Sequence, residues 1–301
     1  MIGAFKERRP WAVVLINLIF GPFLGMLYLG RGRFAFVYLG LGFVEAAALL
    51  FFFPLAIAMG SLGIWLIELP LQIVGAIHGA ILARNRGDEM PLPRYSRWYF
   101  LVAIHVVSLI TVLVPAVILR TYFYQPFNTV SESMAPTLDA ATYFWVSKRA
   151  YDEAGPQRGD LVVFHWTDGD YGKRVGAIPD DKVQMLGGQL FLNGKIVVRQ
   201  RTPDVEMADE YGVVRPIRQY QETLPSGRSY KTLDLVDNSP QDNTPVFAVP
   251  AGAYFVLGDN RDNSNDSRLD VGFVPRANIV GEIEVKFADR RHKTMIWEPV
   301  N

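Results

Sequence analysis

Three stretches of this 301-residue chain carry almost no charge, and they commit most of its first third to an apolar environment. Residues 10–30 contain no Lys, Arg, Asp or Glu. Residues 34–83 hold only Glu45, Glu68 and His78 among acidic, basic and histidine residues, and residues 98–119 hold only His105. A helix needs about 20 apolar residues to cross a bilayer. The block 34–83 is long enough for two crossings, with a turn near Ala58-Met59-Gly60-Ser61-Leu62-Gly63. The expectation is a membrane anchor over 1–120 with three to four apolar segments, 10–30, 34–58, 61–83 and 98–119. A cleaved signal peptide does not account for several long runs in succession. Glu45, Glu68, His78 and His105 are costly in lipid and should face other helices or water. Packing is the preferred role for them over transport, because no second motif supports transport.

The flanking charges set the orientation. Lys6, Arg8 and Arg9 precede the first run, Arg31 and Arg33 follow it, and Arg84, Arg86, Arg94 and Arg97 precede the last. Positive charge favours the cytoplasmic side. Four full crossings cannot put all three clusters there, since the first run would start and end on one side. Gly21-Pro22 breaks that run. It is therefore expected to be re-entrant or interfacial, with three full spans after it. The rival is a spanning first run with an outside N-terminus. In both versions residue 120 emerges on the outer face, which makes the rest of the chain extracytoplasmic.

From residue 121 the pattern changes to short apolar stretches punctuated by Gly, Pro, Asp and Asn. Residues 143–146 and 161–164 read as strands, as do 252–258 and 279–287. Residues 189–198 read as a hairpin turning at Asn193-Gly194. No convincing amphipathic helix stands out. The fold class expected for 121–301 is mainly β, Greek-key or barrel-like, with the polar, Pro-punctuated residues 200–248 as an insertion or cap. Lys+Arg and Asp+Glu balance at 30 each, so no global charge points to nucleic acid. The absence of cysteine excludes disulfides, thiolate metal ligands and a cysteine nucleophile.

Three polar clusters remain. The first, Asn128 to Leu138, sets Ser131 and Ser133 just before Met134 and a Pro136 turn. A serine needs a base. The chain has four histidines, two of them in the apolar runs and His292 in a basic segment. His165 follows a strand but has no defensible Asp arrangement. A lysine serves if it is neutral: its pKa, about 10.4 when free, must fall by about two to three, equivalent to ~3–4 kcal/mol. Burial against apolar side chains does this. In the second cluster Lys173 and Arg174 should leave a strand on opposite sides, one inward and one to a salt bridge. The bland alternative is a solvated pair. The third cluster runs from Gly258 to Arg268. It fails as an EF-hand, because counting from Asp259 the sixth residue is Ser264 and the twelfth Asp270. The remaining readings are an exposed loop or a buried, internally paired loop that supports a site.

Together these stretches resemble type I signal peptidases, the membrane-bound serine–lysine endopeptidases of peptidase family S26. Ser131-Glu132-Ser133-Met134-Ala135-Pro136-Thr137-Leu138 resembles the family's Ser-x-Ser-Met-x-Pro-Thr-Leu box. Arg158-Gly159-Asp160-Leu161-Val162-Val163-Phe164 resembles its Gly-Asp-apolar strand, and Lys173-Arg174-Val175 its lysine box. The run from Gly258 to Arg268 is similar throughout to Gly-Asp-Asn-Arg-Asp-Asn-Ser-x-Asp-Ser-Arg, and Gly272-Phe273-Val274-Pro275 continues it. The likeness covers about 121–285, in the family's order.

The resemblance implies the signal-peptidase, LexA-like β fold. It implies Ser133 as nucleophile and Lys173 as general base, with an oxyanion hole from the Ser133 N–H and the Ser131 hydroxyl. It implies that Ser264 orients the Lys173 amine, with Asp266 and Arg268 as an ion pair behind it. Phe127 and Leu138 fall at positions that wall shallow apolar substrate pockets. The implied partners are exported preproteins, cut after small residues at −1 and −3, and the lipid bilayer of the cell membrane. No metal or organic cofactor is implied. Gly172 departs from the branched apolar residue frequent before the lysine, Gly176-Ala177-Ile178-Pro179-Asp180 departs from Val-Gly-Leu-Pro-Gly, and the anchor has more apolar segments than usual. Two alternatives stand beside a general signal peptidase: a specialised S26 peptidase for one secretion or conjugation substrate, and a catalytically inactive membrane scaffold. Trp297, with Met295 and Ile296, is a candidate for the lipid interface or for ordinary packing.

Overall fold

The computed structural model describes residues 9–58, 61–85, 92–167, 169–208, 213–289 and 294–300. The expected turn at Met59-Gly60, the flanking Lys6, Arg8 and Arg86, and the segment Arg290-Arg291-His292-Lys293 lie outside these residues. The chain divides into two compact units, Met1–Val117 and Ile118–Asn301.

The first unit is helical. Its helices are α1 (Pro10–Phe20), α2 (Pro22–Tyr28), α3 (Gly32–Ala58), α4 (Ser61–Arg84) and α5 (Trp98–Ile118). The break between α1 and α2 has a local cause. Gly21 adopts φ 86°, and Pro22 takes the first position of α2, where its missing N–H costs nothing. Asn17 is fully buried and donates to the Val13 carbonyl at 2.8 Å. A Cβ at Gly25 or Gly79 would overlap the Asn17 side chain, so α2 and α4 approach α1 through glycine. Both histidines of the apolar runs meet protein groups, whereas Glu45 Oε1 is buried without a hydrogen bond. Tyr38 Oη lies 3.0 Å from His78 Nδ1, and His105 meets the Phe20 ring edge-on at 5.2 Å. Among the described residues one helix, Trp98–Phe123, is long and apolar enough to cross a membrane, and none of its apolar window is buried.

The second unit is mainly β. Its strands are β1 (Tyr124–Asn128), β2 (Thr142–Ser147), β3 (Leu161–Trp166), β4 (Gly169–Ala177), β5 (Lys182–Leu186), β6 (Gln189–Leu192), β7 (Lys195–Ile196), β8 (Val198–Ala208), β9 (Val214–Thr223), β10 (Ser229–Asp234), β11 (Phe247–Ala248), β12 (Ala253–Leu257), β13 (Val274–Pro275), β14 (Ile279–Asp289) and β15 (Thr294–Pro299). An eight-stranded sheet runs β1-β2-β14-β3-β4-β12-β13, with β15 added to β14. Its pairing is open, with β1 and β13 at the ends. Both faces of β3 are covered: Leu161 and Val163 join one apolar cluster, Val162 and Phe164 another. That is why its sequence is a continuous apolar run rather than an alternation. The β6–β7 hairpin turns at Asn193 (φ 53°) and Gly194 (φ 77°), the positive-φ pair that an Asn-Gly turn supplies.

Residues 198–234, within and just before the stretch read as an insertion, form a separate three-stranded sheet in the order β10-β9-β8. Its strands were faint in the sequence because β8 is mostly solvated and needs no apolar face. Trp297 lies on β15, which pairs with β14.

Candidate active site

The site is built from the β1–β2 connection, β4 and the loop after β12. Residues 129–141 fold into a closed turn: Thr129 N–H donates to the Thr142 carbonyl at 2.9 Å, and Leu138 N–H to Met134 at 2.9 Å. Met134, Ala135 and Leu138 are buried and pin the turn to the core, while Ser133 remains 8% exposed.

β4 brings Lys173 to it. Lys173 Nζ lies 2.6 Å from Ser133 Oγ, and Ser131 Oγ lies 3.1 Å from the same oxygen. Lys173 is 3% exposed, without a carboxylate in salt-bridge contact among the described residues. Burial pulls its pKa down; Asp266 and Asp259 draw it back up, Arg268 pushes it down again, and the balance is about 8. The β4–β12 ladder ends at Arg174 opposite Leu257, one residue short of Lys173, and the loop from Gly258 begins there.

That loop is buried and internally paired. Asp266 and Arg268 form a bidentate pair at 2.9 and 2.8 Å, with no side-chain exposure on either partner. Burial alone would raise the Asp266 carboxyl. The Arg268 guanidinium and the Gly258 and Arg268 N–H groups outweigh it and hold the group below the usual carboxylate range. Asn260 N–H donates to the Ser133 carbonyl at 3.2 Å. A Cβ at Gly258 would overlap Ser264 Oγ and sit 2.6 Å from the Ser133 carbonyl oxygen. Only glycine fits there.

The structure thus brings Ser131, Ser133 and Lys173 into one hydrogen-bonding cluster, with Ser264, Asp266 and Arg268 in the adjoining loop. Ser264 Oγ is buried and makes no hydrogen bond, so no bond from it to the Lys173 amine is present. Phe127 is half-buried on β1, its ring stacked on Phe144 at 6.2 Å. Leu138 is fully buried in the apolar cluster with Met134, Phe144 and Ile283. It therefore lies beneath the Ser133 turn. His165 is exposed and paired with Asp170.

Of the two β4 cations, Arg174 is the one that takes the salt bridge. It is 1% exposed and holds Asp259 through two bonds of 2.8 Å, and it donates to the Gly159 carbonyl at 2.8 Å. Sequence reasoning missed Glu222, Tyr230 and Thr137. Thr137 Oγ1 donates to Asp259 at 2.5 Å. Glu222 accepts from Arg261 at 2.6 Å and from Tyr230 Oη at 3.2 Å. No local pattern announces Glu222; its partner is 39 residues away.

The family model for signal peptidases of peptidase family S26 matches residues 102–288. Signal peptidase I of Rickettsia massiliae (strain Mtu5) is 32% identical over 206 residues, covering 59% of this chain and 76% of that protein. Signal peptidase I of Rickettsia typhi (strain ATCC VR-144 / Wilmington) is 33% identical over 198 residues, covering 56% and 74%. A crystal structure of a signal peptidase I from Enterococcus faecalis V583 is 27% identical and covers 42% of this chain and 96% of that one, with a TM-score of 0.27.

Proposed function

The chain belongs to the S26 signal peptidases, which are serine hydrolases, and on that premise we propose that it removes N-terminal signal peptides from exported preproteins by a Ser133–Lys173 dyad. The observation that carries this reading is the 2.6 Å separation of Lys173 Nζ and Ser133 Oγ inside a buried setting. Neutral Lys173 takes the Ser133 proton as Oγ attacks the scissile carbonyl. The resulting ammonium gives that proton to the leaving amine, and a water activated by the same lysine releases the acyl group. The Ser133 N–H and the Ser131 hydroxyl stabilise the oxyanion, an arrangement typically worth several kcal/mol. Ser264, Asp266 and Arg268 support the dyad from the loop.

The substrate is an extended peptide with small residues at −1 and −3. Phe127 borders its path, and Gly172 widens it. A Cβ at Gly172 would meet Ile283 Cδ1 at 3.5 Å, an ordinary contact, so a methyl group would fit where glycine leaves none. The missing side chain is what a second, narrower reading rests on: a peptidase for one dedicated client with an unusual cleavage site.

In this reading the first third is a multi-pass anchor in the cell membrane. α3, α4 and α5 are the spans, at 27, 24 and 21 residues. The α1–α2 pair, broken at Gly21–Pro22, is re-entrant or interfacial, and the peptidase domain is extracytoplasmic. The chain has no cysteine. Single cysteines placed in 121–301 should therefore react with a membrane-impermeant maleimide added outside intact cells.

The dyad is tested by cleavage of a detergent-solubilised preprotein with an Ala-x-Ala site, mapped by mass spectrometry. Cleavage after the second alanine, lost in Ser133→Ala and in Lys173→Ala, is the expected result. Full activity in Lys173→Ala would remove the proposed base. An uncut precursor with folded wild type would favour the single-client reading.

A further inference from the structure

The inserted sheet does more than cover the domain. Its inner end is bonded to the loop that carries the site. Leu233 N–H donates to the Asp259 carbonyl at 2.8 Å, and Arg261 N–H donates to the Leu233 carbonyl at 3.1 Å. Beside this backbone join lies a buried ion pair, Glu222 with Arg261, whose side chains are 1% and 4% exposed. Tyr230 Oη donates to the same carboxylate oxygen at 3.2 Å, and the Tyr230 ring lies 4.1 Å under the Arg174 guanidinium.

Arg261 reaches the reacting groups in two ways. Its Nε donates to the Gly258 carbonyl at 3.1 Å, and its own carbonyl accepts from Arg268 Nη2 at 2.6 Å. Gly258 is the residue on which Ser264 and the Ser133 carbonyl close in, and Arg268 is paired with Asp266. Glu222 thus fixes Arg261, whose guanidinium bonds Gly258, packed against the Ser133 carbonyl, and whose backbone carbonyl bonds the Arg268 of the Asp266–Arg268 pair. Burying two charges carries a desolvation cost that apolar packing would avoid. Glu222 Oε1 and Arg261 Nη1 are both buried without a hydrogen bond. This pair is therefore a poor way to stabilise a cap, and its consistent feature is the fixed placement of Arg261.

We propose that Glu222, from the inserted sheet, is a positioning residue that holds the Gly258–Arg268 loop, through Arg261, in the geometry at which Ser133 and Lys173 react. This rests on the dyad reading above. It makes the inserted sheet part of the working enzyme, and Tyr230 holds the same carboxylate oxygen that Arg261 uses.

The test uses full-length protein in detergent and two readouts. One is kcat and KM on the Ala-x-Ala precursor. The other is the rate at which a small activated ester acylates Ser133, which also counts competent sites. Glu222→Gln keeps the volume and removes the charge. It should lower kcat per competent site about tenfold and slow acylation in parallel, with KM within twofold. Glu222→Asp, which keeps the charge, should recover part of the loss. Tyr230→Phe should show the same pattern at two- to threefold, and it carries the test if Glu222→Gln does not fold. Arg201→Ala, an exposed residue of the same sheet, should match the wild type. Unchanged kcat and acylation rate per competent site in both Glu222→Gln and Tyr230→Phe would overturn the proposal, as would a loss confined to KM. Wild type that acylates but leaves the precursor whole would sink the substrate reading alone. The variant acylation rates would still decide the role of Glu222.

Discussion

Lys173 and Arg174 are consecutive on β4, both cationic by type and both almost fully buried, yet their surroundings treat charge in opposite ways. On the Arg174 side, Asp259 supplies two oxygens, the Gly159 carbonyl a third and the Tyr230 ring a face. Burial alone would lower the Arg174 pKa, and Asp259 more than reverses it. On the Lys173 side the near partner is a hydroxyl, Ser133 Oγ. The nearest influences that favour its charge, Asp266 and Asp259, are already claimed by Arg268 and Arg174. The lesson is that burial does not by itself neutralise a cation. What separates a structural cation from a general base is whether a free carboxylate is within reach.

The largest effect should come from denying the Lys173 side its neutral form. Lys173→Met removes the proposed base and should abolish precursor cleavage, by at least about a thousandfold in kcat, since members of a catalytic unit fail together. Lys173→Arg should be as inactive, because a guanidinium does not give up its proton. An active Lys173→Arg would break the contrast between the two sides.

Next in size is the Arg174 side. Asp259→Ala leaves a buried guanidinium without its carboxylate, and removing one partner of a buried pair costs about 3–5 kcal/mol. Chemical denaturation of the full-length protein in detergent should show that loss. The Thr137 hydroxyl, which donates to Asp259, loses its acceptor as well.

The Lys173 side should respond to mutation in the opposite sense. Its folded pKa, about 8, lies below the 10.5 of an ordinary lysine. Between those values the unfolded chain binds more protons, so stability rises with pH across that window; below pH 8 the folded state bears the full cost of a buried charge. Lys173→Met escapes that cost and should be more stable than wild type by up to ~3 kcal/mol at pH 7, a gap that closes by about pH 10.5. Thermal melts of both proteins across this range measure it. Activity follows the same titration. A base with a pKa of about 8 is roughly one-tenth neutral at pH 7 and nine-tenths at pH 9. kcat/KM should therefore climb close to tenfold over that interval and level off above it.

Much of this contrast was legible in the sequence. Neighbouring strand positions leave on opposite sides, which separates Lys173 from Arg174, and the Ser-x-Ser and Gly258–Arg268 boxes mark the polar groups that meet them. The identity of the partners was not legible. Asp259 is 85 residues from Arg174, and only the β4–β12 pairing brings them together. Nor could alternation show that both sides are covered, because a half-exposed strand and a buried one differ in what lies above them. Strands β8 and β9 were obscured by their polarity, and with them the Glu222 contact to the loop. The burial of Leu138 among Met134, Phe144 and Ile283 was not legible either, because Ile283 comes from a strand far along the chain.

The smallest effect sharpens the comparison at the residue just before Lys173, where a side chain is missing. Gly172 is half-buried, pairs with Val163 and precedes the base. Its built Cβ would touch Ile283 at ordinary distance, so Ala should fit without cost and leave cleavage of an Ala-x-Ala site within about twofold. Val adds two further methyl groups to that space. A methylene in an apolar pocket discriminates by about 1–3 kcal/mol, so Gly172→Val should penalise precursors with larger −1 or −3 residues by roughly tenfold while sparing alanine. Competition between an Ala-x-Ala and a Val-x-Ala precursor, in wild type and in each variant, reads this ratio directly. An unchanged ratio in Gly172→Val would mean that the opening beside Lys173 is not where the substrate lies, and that only the backbone of β4, not the surface next to it, serves the reaction.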